Sequence, residues 1–413
     1  MELRPGYKQT EVGRIPDDWN TKTIDEIGFV TSGKRLPLGS SLTEQETPHP
    51  YIRVTDMRPG TVSLSDIRFV PDHVYPAIKR YRIFRDDIFI SVAGSLGIVG
   101  KIPDELDGAN LTENADRITN ISCSRDYLLY VLMSPLIQNT IESLQTVGAQ
   151  PKLALTRIRK FVIPLPDTRA EQEAIAEALS DVDALIASLD ELITKKRSIK
   201  QGTMQQLLTG KKRLPVFSEK WEVKRLGAVA DIVRGASPRP IEDPKWFNEN
   251  SSTGWVRISD VTKSNKYLFE TSQKLSELGV INSRYVTRKN LIMSICATVG
   301  RPILNEIDVC IHDGFVVYRN PQIDKEYLYY FLSFIEKDWS KNGQTGSQMN
   351  LNTTLINTTE IYFPKDKSEQ TAIATVLSDM DAEITAIEAR RDKTKTIKQG
   401  MMQALLTGRI RLI

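Results

Sequence analysis

Two stretches of the chain carry apolar residues at the alternating three- and four-residue spacing of a coiled-coil seam. In the first, Ile175, Val182 and Leu189 fall seven apart, and Leu179, Ile186 and Ile193 form the interleaved row. In the second, Ile373, Met380 and Ile387 repeat one row and Leu377 and Ile384 the other, until the seam is lost at Arg391 and Thr394. The spacing predicts two long helices of about 28 to 30 residues, each rising about 45 Å. Their charge is graded: the first is acidic early (Glu171, Glu173, Glu177, Asp181, Asp183) and basic late (Lys195, Lys196, Arg197, Lys200). That gradient matches the macrodipole of a solvated helix. It also suits an antiparallel pair, in which the acidic end of each helix lies beside the basic end of the other.

Outside the helices the pattern is mixed. Apolar or alternating runs at Thr61–Val70 and Asp87–Ala93 predict strands, and Tyr127–Leu144 predicts a helix. The chain also repeats itself. Glu171–Leu214 and Glu369–Leu412 align without a gap and share the ending IKQG-x-M-Q-x-LLTG. A period of about 200 residues is too long for a solenoid, so a whole domain with its helix is duplicated. Weaker matches precede the helices: Trp19 with Trp221, Tyr51–Asp56 with Trp255–Asp260, Ser91 and Gly97 with Ser294 and Gly300, Gly148-x-Gln150 with Gly346-x-Gln348. Pro166 and Pro364 close the two halves. The expected class is α+β: two mixed domains separated by two long antiparallel coiled-coil helices in an internal pseudo-two-fold repeat. The expected boundaries are 1–166, 167–213, 214–365 and 366–413.

Composition adds little. The chain has 413 residues, 40% hydrophobic and 26% charged, with a net charge of +3 that barely favours nucleic acid. Cys123, Cys296 and Cys310 stand far apart with no metal or disulfide spacing, as expected of core thiols in a reducing compartment. No apolar stretch approaches a membrane span or a signal peptide, so a cytoplasmic protein is expected. Gly28-Phe29-Val30-Thr31-Ser32-Gly33-Lys34-Arg35 nearly matches a phosphate-binding loop, but arginine replaces the hydroxyl that ligates magnesium. No dinucleotide fingerprint or adenine-methyltransferase tetrapeptide is present, and His49, His73 and His312 are scattered. No catalytic, cofactor or metal site is therefore expected in this chain.

Basic and hydrogen-bonding residues in predicted loops suggest DNA contact instead. The first domain offers Lys34, Arg35, Arg58, Lys79, Arg80, Arg82, Gln150 and Lys152. The second offers Arg234, Arg239, Lys263, Lys266, Tyr267, Lys341, Gln344 and Gln348. Arginine and lysine contact phosphates or read guanine, and glutamine suits adenine. Arg53 and Arg257 lie in matching strand-like runs and are expected to pair with Asp56 and Asp260. A rod of about 45 Å would space two readers about one duplex turn apart, although the same length would serve a plain scaffold. Met204, Leu207, Leu208, Met402, Leu405 and Leu406 exceed what a thin helix pair buries. They suggest either two equivalent docking surfaces for a partner or packing onto the adjacent domain.

The P-x-x-x-x-EQ-x-A-I-A entry, the helices, the KQG-x-M-Q-x-LLTG-x-x-RL exit and the opening Tyr7–Trp19 resemble Type I restriction–modification specificity subunits over essentially the whole chain. The resemblance implies two target-recognition domains reading unlike halves of a bipartite double-stranded DNA site. It also implies helices that space them and bind two methyltransferase subunits, which carry S-adenosylmethionine and methylate adenine N6. Restriction and translocase subunits, using ATP and Mg²⁺, would join that core. Self-association without partners is left open. Three other readings fit the same residues: a specificity subunit of a Type IIB-like enzyme, a nuclease with an unfamiliar metal site, and a coiled-coil scaffold that binds no DNA.

Overall fold

The two apolar seams fold as helices of 39 residues each, Arg169–Leu207 and Lys367–Leu405. They are longer than the spacing alone predicts. Gly202 and Gly400 lie on open helix faces, where an added Cβ would meet nothing, and the last turns are held by burial of Leu207 and Leu405. The helices end before Gly210 and Gly408, both at a φ of +67°, the left-handed turn that suits glycine after a helix. The computed structural model describes residues 5–143, 152–342 and 351–412. The chain divides into two compact units, Met1–Asp190 with Ala389–Ile413, and Glu191–Glu388. The division therefore crosses both long helices.

In unit 1 the chain enters its globular part on strand Asn20–Thr23 and leaves on Val162–Leu165, which pair antiparallel. Beyond that ribbon stand two sheets. One has the order Val99–Lys101, Ile88–Ser91, Ala115–Thr119, Phe29–Ser32; the other has Arg68–Phe69, Pro50–Ile52, Ala109–Leu111, Arg82–Ile83. Unit 2 repeats this plan. Its ribbon pairs Trp221–Arg225 with Glu360–Pro364. Its first sheet runs Pro302–Asn305, Leu291–Ser294, Phe315–Arg319, Asp231–Arg234, with Tyr267–Leu268 added at the outer edge. Its second runs Gln273–Lys274, Gly254–Val256, Val309–Ile311, Arg284–Val286. Even the parallel pairing recurs at the same place, Pro50–Ile52 with Ala109–Leu111 and Gly254–Val256 with Val309–Ile311. The central strands Ile88–Ser91 and Leu291–Ser294 are buried at every residue, which is why they read as unbroken apolar runs.

Some local expectations are revised. Thr61–Val70 holds two short strands, Thr61–Val62 and Arg68–Phe69. The helix expected over Tyr127–Leu144 is two, Arg125–Met133 and Pro135–Ser143, because Pro135 cannot donate into the ladder and Ser134 turns extended. Unit 2, with Ile335 at the matching position, keeps one helix over Lys325–Asn342. Leu144 lies outside the described residues.

Within each unit the long helices pack antiparallel. In unit 1 Asp183 pairs with Lys398 at 2.6 Å and Asp190 with Arg391 at 3.2 Å. In unit 2 Lys200 pairs with Asp381, Lys196 with Glu383 and Arg197 with Glu388, each at 2.5 Å. Acidic beginnings thus face basic ends. Ile175, Leu179, Leu189, Ile193, Ile373, Leu377 and Ile384 are buried, while Val182, Ile186, Met380 and Ile387 are half-buried. Where the apolar seam stops, Thr394 is still buried and donates to the carbonyl of Arg390 at 2.8 Å. Arg391 turns outward to Asp190, so polar side chains continue the pairing.

Met204, Leu207, Leu208, Met402, Leu405 and Leu406 are not a free docking surface. The first three are buried in the core of unit 2 with Leu226, Ile361 and Phe363, and the last three in the core of unit 1 with Ile15, Trp19 and Ile163. Each globular domain takes the tail of the other repeat's helix into its own core, which accounts for the apolar excess.

Candidate nucleic-acid interface and the helix junctions

The repeated Glu-Gln at the start of each long helix is a buried junction. In unit 2, Glu369 is fully buried and accepts two hydrogen bonds from Arg213 at 2.6 Å and one from Trp221 Nε1 at 3.4 Å. In unit 1, Glu171 accepts from Trp19 Nε1 at 3.3 Å and from Arg411, whose guanidinium also reaches Asp18 at 2.8 Å. The neighbouring glutamines tie each long helix to the residue that opens the preceding helix, Arg125–Met133 or Lys325–Asn342. Gln172 accepts from the Ser124 N–H and donates to the Pro166 carbonyl, and Gln370 does the same with Asp324 and Pro364.

A second node sits further along the helices. Asp183 accepts from the Tyr130 hydroxyl at 2.9 Å and pairs with Lys398, whose ammonium lies 5.4 Å over the Tyr130 ring. Asp381 accepts from Tyr330 at 2.8 Å and pairs with Lys200, 5.6 Å over the Tyr330 ring. Burial, and then the adjacent aspartate, holds both tyrosines well above their ordinary pKa, so each stays a donor. The partner of each helix's node comes from the other helix. This role could not be read from one copy, because Glu171 and Arg411 stand 240 positions apart.

The basic candidates divide by unit. In unit 1, Lys34, Arg35, Arg58, Lys79, Arg80, Arg82 and Lys152 are all exposed. Lys79, Arg80 and Arg82 line a shallow depression of about 370 Å³ with Tyr75 and Phe84. The Lys34 ammonium lies 5.7 Å over Tyr81, beside that cluster. Arg35 Nε donates to Glu113 at 2.6 Å, and Arg58 donates to the carbonyls of Thr55 and Met57. In unit 2, Arg234, Arg239 and Lys263 are exposed. Arg234 donates to the Asp313 carbonyl at 2.8 Å, and Arg239 pairs with the Asp313 carboxylate at 3.6 Å.

Lys266 and Tyr267 are corrected. Lys266 is buried, donates to Glu326 at 2.6 Å and to Tyr330 and Ser378 at 3.2 Å. Tyr267 donates to Glu326 at 3.0 Å. Tyr267 begins the strand added to the edge of the unit 2 sheet and Lys266 precedes it; both meet the start of the helix Lys325–Asn342 and join the structural network of the second node. Gln150, Gln344 and Gln348 lie outside the described residues, as does the side chain of Lys341. Arg53 binds Asp56 through Nε and Nη2 at 3.0 and 2.6 Å, while Arg257 meets Asp260 through its backbone N–H at 2.9 Å.

The phosphate-loop resemblance dissolves in the fold, since Phe29–Ser32 is a paired strand rather than a loop. Gly33 is required by packing: an added Cβ would stand 2.1 Å from the Thr112 carbonyl oxygen. Gly235 fills the same place, 2.0 Å from the His312 carbonyl oxygen. Burial lowers the His312 pKa, and Nδ1 accepts the Gly314 N–H at 2.9 Å, so the ring is a neutral structural group. Among the described residues no cluster of three His, Cys, Asp or Glu side chains could hold a metal ion, and no helix is long and apolar enough to cross a membrane. A groove of about 1330 Å³ in unit 1 is lined by both signs of charge, with Lys101 and Arg125 paired to Asp126, Arg169 to Glu173 and Lys398 to Asp183.

A further apolar row on the first long helix faces water. Leu185, Leu192 and Ile199 are exposed and spaced seven apart on the first long helix, beside the buried seam. The second helix has Glu383, Arg390 and Ile397 at the matching positions, of which Ile397 alone is apolar.

A duplicated two-sheet domain, each copy sharing one antiparallel helix pair, defines the class. The family model for the Type I restriction modification DNA specificity domain matches twice, over residues 16–197 and 218–399, and the chain belongs to this family. It is 25% identical to the putative type I restriction enzyme MjaX specificity subunit of Methanocaldococcus jannaschii, over 98% of this chain and 97% of that protein. It is also 25% identical to the type I restriction enzyme MjaVIII specificity subunit of the same organism, covering 98% of this chain and 96% of the other. Its fold matches the crystal structure of a Type-I restriction–modification system S subunit from M. genitalium with a TM-score of 0.58 at 15% identity, covering 98% of both chains.

Proposed function

We propose that this chain is the DNA reader of a Type I restriction–modification complex and carries out no catalysis itself. Each unit reads one half of a bipartite double-stranded site. Lys34, Arg35, Arg58, Lys79, Arg80, Arg82 and Lys152 serve one half-site, and Arg234, Arg239 and Lys263 the other. Most of these cations neutralise phosphates and fix register, while a few reach base edges. Because the two sets differ, the half-sites differ.

The proposal includes two methyltransferase subunits bound along the long helices, supplying S-adenosylmethionine, and restriction subunits supplying ATP- and Mg²⁺-dependent steps in the cytoplasm. The stripe Leu185, Leu192 and Ile199 supports helix docking, because a heptad row left in water is an incomplete seam. The observation that carries the reading is the contrast between junctions duplicated residue for residue and basic faces that are not.

The test is co-expression with the methyltransferase of the same system, then mass measurement and methylome sequencing. One copy of this chain with two methyltransferases, writing N6-methyladenine in an asymmetric split motif, is expected. Leu192→Glu should weaken that association at least about tenfold while leaving the melting temperature of the isolated chain unchanged. An unaltered methylome in the co-expressing cells would refute the reading.

A further inference from the structure

Each unit leaves its central sheet at a glycine with no room for a side chain, Gly33 and Gly235. The segments that follow are unlike in sequence, Lys34-Arg35-Leu36-Pro37 against Ala236-Ser237-Pro238-Arg239. Both nevertheless bring an arginine over an acid that follows the same strand of the second sheet. Arg35 Nε donates to Glu113 at 2.6 Å, and Arg239 Nη2 stands 3.6 Å from Asp313. Glu113 and Asp313 occupy equivalent positions, two residues after Leu111 and Ile311 at the ends of matched strands.

The geometry has a direction. The arginine side chains are 78% and 72% exposed, and the acids 28% and 48%, so the guanidinium stands outermost with the carboxylate beneath it. Hydroxyls steady the acids from below: Thr112 donates to Glu113 at 3.1 Å and Ser237 to Asp313 at 2.7 Å. Arg35 spends only Nε on its acid. Among the described residues its two Nη groups make no hydrogen bond, and these form the edge that matches guanine O6 and N7. An exposed ion pair contributes little to stability. Holding an arginine in one rotamer instead lowers the entropy lost when it binds a planar partner.

We infer that Glu113 and Asp313 are positioning residues that hold Arg35 and Arg239 outward as guanine readers, one in each half-site. This rests on the proposed DNA-reading function and adds to it which side chains specify bases and what orients them. The remaining cations contact phosphates.

The experiment uses the complex co-expressed with its methyltransferase and reads the methylome together with affinity for duplexes mutated at single positions. Arg35→Lys should relax one guanine position in one half-site, lowering discrimination there about tenfold to a hundredfold. Arg239→Lys should do so in the other half-site only. Glu113→Ala should lower discrimination at the Arg35 position with an unchanged salt slope, and Glu113→Gln, which keeps an acceptor for Nε, should restore it; Asp313→Ala should lower discrimination at the Arg239 position, where the contact is an ion pair through Nη2. A uniform loss across all positions with a smaller salt slope would make these arginines phosphate contacts and overturn the inference. So would a motif unchanged in every variant. In both cases the wild-type complex still writes a split motif and the DNA-reading function stands; if the wild-type complex writes none, both fall together.

Discussion

The base of unit 1 and the base of unit 2 use the same residues for the same contacts, whereas their basic faces share a plan and few side chains. At the bases, tryptophan, glutamate and arginine meet as Trp19–Glu171–Arg411 and Trp221–Glu369–Arg213, and tyrosine, aspartate and lysine as Tyr130–Asp183–Lys398 and Tyr330–Asp381–Lys200. At the faces, Lys79, Arg80 and Arg82 line a depression in unit 1, while the strand register puts Asn282, Ser283 and Tyr285 at the matching positions of unit 2. A buried carboxylate tolerates little change, because any loss strands its partners away from water. An exposed cation can be exchanged at small cost. The part that must fit is therefore repeated, and the part that would discriminate between sequences is free to differ.

The bases also differ in one detail, and the largest expected effect exploits it. Arg411 has a second acid in Asp18, while the position matching Asp18 in unit 2 is Lys220. Glu369→Ala leaves Arg213 and Trp221 without an acceptor and should destabilise the protein by about 3 to 5 kcal/mol. Glu171→Ala, with Asp18 still holding Arg411, should cost about half as much. Urea unfolding of the two variants measures the difference, and equal losses would remove the asymmetry. Next, Lys266→Ala should lower stability by about 2 kcal/mol without changing DNA affinity at matched salt, whereas Lys263→Ala should weaken binding and leave the melt unchanged. Tyr330→Phe should cost about 1.5 kcal/mol and Tyr130→Phe somewhat less, since Tyr330 also accepts a hydrogen bond from Lys266.

The smallest effect is pH dependence confined to unit 2. Burial lowers the folded pKa of His312 beneath its ordinary 6.5, against a partly opposing pull from Asp313. The unfolded chain therefore binds the proton first as pH drops. Stability from this group is full above about 6.5 and is lost as pH falls through the depressed folded value. Unit 1 has Thr112 at the matching place. Denaturation between pH 7 and 5 should show a small loss of stability that His312→Thr removes.

The long helices, their antiparallel charge pairing and the duplication were legible in the sequence, because heptads and self-similarity are local signals. The junctions were only half legible. The repeated Glu-Gln was visible, but Glu171 and Glu369 take their meaning from arginines contributed by the end of the other repeat. Lys266 was misread because it immediately precedes a short strand, Tyr267–Leu268, paired in parallel with Pro302–Asn305, and a two-residue strand has no periodicity to announce the burial around it. Met204 and Leu405 were rightly seen as excess apolar surface, but sequence spacing could not show that the surface covering them belongs to the chain itself. The exposed row Leu185, Leu192 and Ile199 was hidden by its neighbours in the buried seam.

The most direct test of the central claim exchanges one face while leaving both bases intact. Replacing residues 221–364, the globular part of unit 2 with its ribbon strands, with residues 19–166 of unit 1 gives a chain with two copies of one reader. Co-expressed with the methyltransferase, it should still assemble with two copies of that subunit and should write N6-methyladenine in a split motif whose halves are identical and inverted. An assembled complex that keeps the original asymmetric motif, or one whose new motif has unlike halves, would contradict the claim that each unit reads one half-site alone.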